Sequence, residues 1–253
     1  NLVGGYAASS AASKFSLNKV KVDVEAPKVN REQILKNLEE SRLARESSKF
    51  DNYLRKEYAQ QGKYFAERIS WGDGKYAYLS KDIDKATGKP TPVRYRSYLK
   101  ADGSIDWPLE NGFVLDSAGN PVTQSANLKA GQVIDRFGNS YGRFTSPVDN
   151  GEKLAFNTRG LPYPEGYQEY HQYEVVKDIN KANYEKAYNQ LNDMDKSQLK
   201  MDMEEFGFRP EDIYNPQRGE ISKIFGQGGG IQIQLGTSVN WYEKLGFLRE
   251  VKK

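Results

Sequence analysis

The chain has 253 residues, 37% of them apolar and 28% charged, with a mean hydropathy of −0.81; that suits one sizeable core plus an appendage, or two modest domains. No run of about 18 uninterrupted apolar residues exists, which excludes a membrane-spanning helix, and the absence of cysteine rules out disulfides, thiolate metal sites and cysteine nucleophiles. The net charge of +3 is too small and dispersed to argue a nucleic-acid partner, and His171 is the only histidine, so most metal-ligand and triad chemistries drop out.

Residues 1–13, rich in Gly, Ala and Ser, read as a flexible leader. The first residues show neither a signal-peptide pattern nor a starting Met, so a fragment of a longer chain is expected. Asn30, with Gln33 three positions on, has the pattern of a helix cap, and the spacing predicts a helix to about Gln60. Its apolar stripe is narrow and its other faces are charged, the mark of a connector or docking arm. After Gly62 the composition turns to alternating aromatic and polar residues. Trp71 to Tyr78 and Val93 to Leu99, separated by the turn-rich 85–90, predict a hairpin or two short strands. The boundary between arm and main domain is placed near residue 90.

Frequent Gly and Pro through Trp107-Pro108, Asn111-Gly112 and Ala118 to Pro121 predict loops and short strands. The stretch Val133 to Pro147 is denser in chemistry. A short apolar strand leads to Arg136, a glycine turn and the aromatics Phe137, Tyr141 and Phe144. An arginine directly after a buried strand is held rigidly, and its planar fork suits a phosphate. The bland alternative is a salt bridge to a local carboxylate such as Asp135. Arg159 adds a second cation in a loop. Tyr170 to Val176 reads as a strand with His171, Tyr173 and Val175 on one face. His171 has no visible carboxylate to orient it as a base and is expected at most to line a site.

Residues 180–206 predict two short helices, capped at Asn180 and Asp195 and ended by Gly207, with the character of an insertion. A strand is expected over 220–225, followed by Gln227 and the glycine run 228–230, which marks a tight turn or a close backbone approach. The Gln227 carboxamide could serve a sugar hydroxyl or a ring amide; a solvated hairpin residue is the alternative. Ser238 caps a short helix that stops at Gly246, and Phe247 to Val251 closes as a strand.

Taken together, Trp107-Pro108, Asn111-Gly112-Phe113, Leu128 to Gly138, Phe144 to Pro147, Arg159 to Pro162, Tyr170 to Val175, Gly219 to Gly230, Ser238-Val239 and Leu245 to Leu248 occur in an order that resembles the tuberculosis necrotizing toxin family of NAD+ glycohydrolases. The resemblance implies an α+β fold: a compact, mainly-β toxin domain over 91–253 with short helices and a helical insertion at about 180–215, preceded by a leader and helical arm over 1–90. It further implies a secreted toxin, acting in the cytosol of a target cell, that hydrolyses NAD+ and also NADP+ to nicotinamide and ADP-ribose. No metal or cofactor is implied, NAD+ being the substrate, and a cognate immunity protein is expected; no nucleic acid is.

Arg136 and Gln227 match the family's two main active-site residues, with Phe144, Arg159 and His171 lining the same site and Phe137 and Tyr141 placed beside them. Phe144 departs from relatives that carry Tyr, which removes any role for a phenol oxygen there. The helical insertion exceeds what compact members carry, which points to a partner surface. The chemistry agrees with the resemblance: nicotinamide leaves as a neutral molecule, so no general acid is required, and no glycosidase-like carboxylate pair is visible. Two other readings remain open, ADP-ribosyl transfer to a protein and a non-catalytic module that binds nucleic acid or a cell surface.

Overall fold

The structure, a computed structural model, describes residues 30–252, so the leader expected over 1–13 lies outside the described residues. The chain divides into two compact units, residues 30–65 with Ala101–Gly103, and residues 66–100 with 104–252. The first is built on helix α1 (Arg31–Gln60), whose start follows the Asn30/Gln33 spacing: the Asn30 side chain accepts a hydrogen bond from the Gln33 backbone N–H at 3.3 Å. Arg42 bridges Glu39 and Glu46 along its surface, while Leu35, Leu43, Phe50 and Tyr53 are exposed. No helix among the described residues is long and apolar enough to cross a membrane.

The second unit is α+β. Strands β1 (Arg68–Gly72), β2 (Lys75–Ile83) and β3 (Pro90–Val93) form an antiparallel three-stranded sheet. Asp73 and Gly74, both at positive φ, make the two-residue turn between β1 and β2, so Trp71 and Tyr78 belong to different strands. The strand expected to run from Val93 to Leu99 stops at Val93. Arg94 donates instead to the carbonyls of Leu161 and Phe225, and residues 96–98 form a 3-10 turn. A boundary near residue 90 therefore falls inside this unit, because β3 pairs with β2.

A seven-stranded antiparallel sheet follows, in the order β10-β7-β5-β6-β9-β8-β4, with β4 at Gln124–Ser125, β5 at Val133–Phe137, β6 at Phe144–Val148, β7 at Tyr170–Val175, β8 at Gln217–Glu220, β9 at Ile231–Gln234 and β10 at Leu248–Glu250. The strand expected at 220–225 lies earlier. Only a single bridge, Ile221 to Phe113, continues it, and the chain then turns. Between β7 and β8 run helices α2 (Lys181–Gln190), α3 (Asp193–Phe206) and α4 (Pro210–Tyr214). Asn180 caps α2 as expected, whereas α3 is capped by Asn192 rather than Asp195 and ends at Gly207 in the left-handed conformation.

These helices are no surface appendage. Tyr184, Leu199 and Ile213 are buried with Ile134, Tyr173, Val175 and Ile233 of the sheet and with Trp241 and Tyr242 of helix α5 (Val239–Lys244) in one core. The 180–206 segment thus closes one side of the sheet, an outcome its charged outer faces conceal in the sequence.

Candidate functional site

Where β5 ends and the chain bends back through Gly138 and Gly142 into β6, the unit encloses a cavity of about 800 Å³. That is within the size range of small-molecule sites. Arg136, Phe137, Tyr141, Phe144 and Arg159 all line it; Gln227 and His171 do not.

Arg136 is held by its own neighbourhood. Its Nε donates to the Asn139 carbonyl at 2.7 Å and its Nη1 to the Phe144 carbonyl at 3.0 Å. The two glycines make room for the guanidinium: a Cβ on Gly142 would sit 1.8 Å from Nη2, and one on Gly138, at φ +120°, would sit 3.0 Å from it. No carboxylate pairs with Arg136 among the described residues, and burial pushes its pKa down. A desolvated guanidinium with no counter-charge is stabilised by any anion that reaches it.

The salt bridge weighed for Arg136 is made by Arg159 instead. Its Nη1 and Nη2 donate to the two oxygens of fully buried Asp135 at 2.5 and 2.7 Å, and its Nε and Nη2 donate to the Leu154 carbonyl. The Tyr170 hydroxyl adds a third hydrogen bond to Asp135 at 2.7 Å, and the Phe137 ring lies 4.9 Å from the guanidinium carbon. Nearly every donor on Arg159 is occupied. It braces the cavity wall from behind and has little left with which to grip a phosphate. The second cation facing the cavity is Arg143, which leans on the Phe144 ring at 5.5 Å and has no carboxylate partner among the described residues.

Arg136 and His171 are directly paired across β5 and β7, yet His171 turns to carboxylates. Its Nδ1 is 2.6 Å from Glu250 Oε1 and its Nε2 3.5 Å from Glu169 Oε2. The expectation that it lacks a carboxylate partner therefore fails, because β10 pairs beside β7 and brings Glu250 to it.

The glycine run is a seam between backbones. The N–H groups of Gly228 and Gly230 donate to the Asn157 and Thr158 carbonyls, and a Cβ on Gly226 or Gly230 would meet those same oxygens at 2.7 and 2.5 Å. This anchors the loop that carries Arg159 and leaves the Gln227 side chain exposed. The carboxamide in the cavity wall from this region is Gln232 on β9, 8% exposed, with Nε2 donating to the Asn111 carbonyl at 3.1 Å. The Ile/Gln alternation of 231–234 held the signal: Gln232 is one of its two Gln positions. The α3 region also reaches the cavity through Asp202, which accepts from Trp241 Nε1 at 2.8 Å, and through Phe206 and Phe208.

Residues 127–190 match the model of the family described as Tuberculosis necrotizing toxin. That range contains Arg136, Phe137, Tyr141, Phe144, Arg159 and His171. A curated relative, the conidial surface nicotinamide adenine dinucleotide glycohydrolase nadA of Aspergillus fumigatus, is 33% identical over 96 residues, which is 34% of this chain and 38% of that protein. The chain thus spans well under half of the length of the curated relative it matches. A solved structure of tuberculosis necrotizing toxin in complex with its immunity factor IFT aligns over 68% of this chain and 79% of its own, with a TM-score of 0.38 and 17% identity.

Proposed function

We propose that this chain, whose residues 127–190 match the model of the tuberculosis necrotizing toxin family, hydrolyses NAD+ to nicotinamide and ADP-ribose. The observation that carries this reading is Arg136: a half-buried, partly desolvated guanidinium without a carboxylate partner among the described residues, set in the wall of a cavity that also holds a buried carboxamide and several aromatic rings. Arg136, aided by Arg143, takes the diphosphate. Gln232 serves the ribose hydroxyls or the attacking water through its amide oxygen. Phe144 offers an aromatic face to the substrate. As the N-glycosidic bond breaks, its electron pair moves onto the pyridinium nitrogen, which becomes neutral, and positive charge passes to the ribose. The leaving group needs no proton, and fixed dipoles aimed at the ribose lower the barrier.

The carboxylates in the wall fit this assignment. Asp135 is committed to Arg159 and Asp202 accepts from Trp241, so neither stands as one of a pair flanking a scissile bond. No glutamate lines the cavity among the described residues, and an ADP-ribosyl transfer reading would call for one over the ribose. The same cavity is proposed to admit NADP+. Secretion, depletion of NAD+ in a target cell and neutralisation by a cognate immunity protein belong to the same proposal. The surface location in the name of the Aspergillus relative supports action outside the producing cell.

Purified protein incubated with NAD+ tests the reading. Stoichiometric nicotinamide and free ADP-ribose are expected by chromatography, with loss of about 10²-fold or more in Arg136→Ala and Gln232→Ala. Absence of nicotinamide release from the folded wild-type protein refutes it, and label appearing on protein in place of free ADP-ribose replaces hydrolysis with transfer.

A further inference from the structure

One polar group in the cavity wall is unaccounted for. Gln168 lines both the about 800 Å³ cavity and an adjoining one of about 600 Å³, and its Oε1 is buried with no hydrogen-bond partner. No hydrogen bond is made by its Nε2 among the described residues. Buried side-chain amides are rarely left so, and an unpaired one at a cavity wall points to a ligand that completes it. Its Nε2 and Arg136 Nη2 lie 3.2 and 3.0 Å from the same point, the place a Cβ on Gly138 would occupy, so amide and guanidinium are neighbours. Trp107 and Tyr163 line both cavities with Gln168, their rings 6.1 Å apart at 65°. Aromatic rings attract a cationic ring, and a primary amide is matched at both its ends by another primary amide, whichever way it is turned.

We propose that Gln168 is a specificity-determining residue that pairs with the carboxamide of nicotinamide, the pyridinium ring lying against the Trp107–Tyr163 corner. This rests on the reading of NAD+ as substrate and deepens it. The consequence is discrimination against nicotinic acid adenine dinucleotide, whose carboxylate offers only acceptors and sets an oxygen against Gln168 Oε1, while the neighbouring Arg136 is taken up by the diphosphate of either dinucleotide. A site built to hydrogen-bond a group rejects the analogue that lacks it much more strongly than a site built on apolar contact.

The test compares kcat/KM for the two dinucleotides. Wild-type protein is expected to prefer NAD+ by about 10²-fold. Gln168→Met, of similar length and without the amide, should lose about 10- to 100-fold with NAD+ and little with the acid analogue, so that the preference largely disappears. A wild-type ratio near one overturns the proposal, as does a preference retained in the variant. Should Gln168→Met fail to fold, Gln168→Asn, which withdraws the amide by one methylene, is read by the same ratio. If wild-type protein releases no nicotinamide at all, the hydrolase reading fails separately. Ligand-observed NMR with free nicotinamide and nicotinate, each with ADP-ribose present so that its diphosphate occupies Arg136, then decides: binding of nicotinamide alone, abolished in the variant, supports the pairing, and equal binding or none refutes it.

Discussion

Gly142→Ala separates the seating of Arg136 from the stability of the fold. The added Cβ would lie 1.8, 2.0 and 2.6 Å from Nη2, Cζ and Nη1 of Arg136, whereas ordinary contact begins at 3.4 Å. The guanidinium must therefore retreat by about 1.5 Å, enough to break a hydrogen bond such as that from Nε to the Asn139 carbonyl. Gly142 is not at a positive φ, so alanine costs nothing in backbone strain and gains about 0.4–1 kcal/mol by restricting the unfolded chain. Against this stand two hydrogen bonds from a charged donor, partly replaced by water. Net stability should change by about 1 kcal/mol or less, measured by denaturant unfolding. Turnover should fall by about 10²-fold, because a catalytic cation misplaced by an ångström loses that order of rate, equivalent to about 2.7 kcal/mol. Steady-state NAD+ hydrolysis is the assay. Wild-type kcat/KM in a folded Gly142→Ala protein would refute the role given to Arg136, since the side chain cannot stay where it is.

Gln232→Ala should lower NAD+ turnover by about 10²-fold and Gln227→Ala by less than about 3-fold; the reverse order would return the amide role to the glycine run. Arg159→Ala leaves Asp135 charged and buried, so it should cost about 3–5 kcal/mol in thermal or chemical unfolding, while Arg136→Ala costs activity with little stability. The alkaline limb is set by buried tyrosines. Desolvation pushes Tyr163, Tyr173 and Tyr184 up to about 12, above the ordinary value near 10. A pKa raised in the fold stabilises fully below about pH 10, and that contribution is lost as pH rises through about 12. Unfolding free energy should therefore fall steeply above about pH 10, alongside delayed tyrosinate absorbance; titration of these tyrosines near 10 in the folded protein would contradict it.

Local signals were legible where chemistry acts over a few residues. Asn30, Asn180 and Ser238 cap helices as their spacing predicts, Gly207 ends α3, and Gly246 follows the end of α5. The stretch from Val133 to Phe144 announced its rigid arginine and its glycine bend, and both are in the cavity wall. What the sequence hid were pairings between distant segments. Leu199 and Ile213 are buried in one core with Ile134, Tyr173, Val175 and Ile233, all 20 or more residues away, and an apolar spacing along a helix does not declare which strands it meets. The glycine run looked like a cradle for a ligand because close backbone approach has the same signature whether the second party is a substrate or the chain itself.

The two arginines show why a residue type alone does not assign a role. Each follows the logic of an anion grip in sequence, since each lies near an apolar segment and a glycine. What divides them is where Asp135, the only fully buried carboxylate among the described residues, is spent. Asp135 sits on β5 next to Arg136 in sequence, but alternation along a strand turns adjacent side chains to opposite faces. Arg159 arrives from its loop to meet that carboxylate, and the pair closes two charges on one another. Arg136 is left on the other face with only carbonyls for hydrogen-bond partners among the described residues, in space that glycines hold open. An unpaired cation is costly unless something negative arrives, and that asymmetry makes Arg136 the residue through which this cavity can favour a diphosphate.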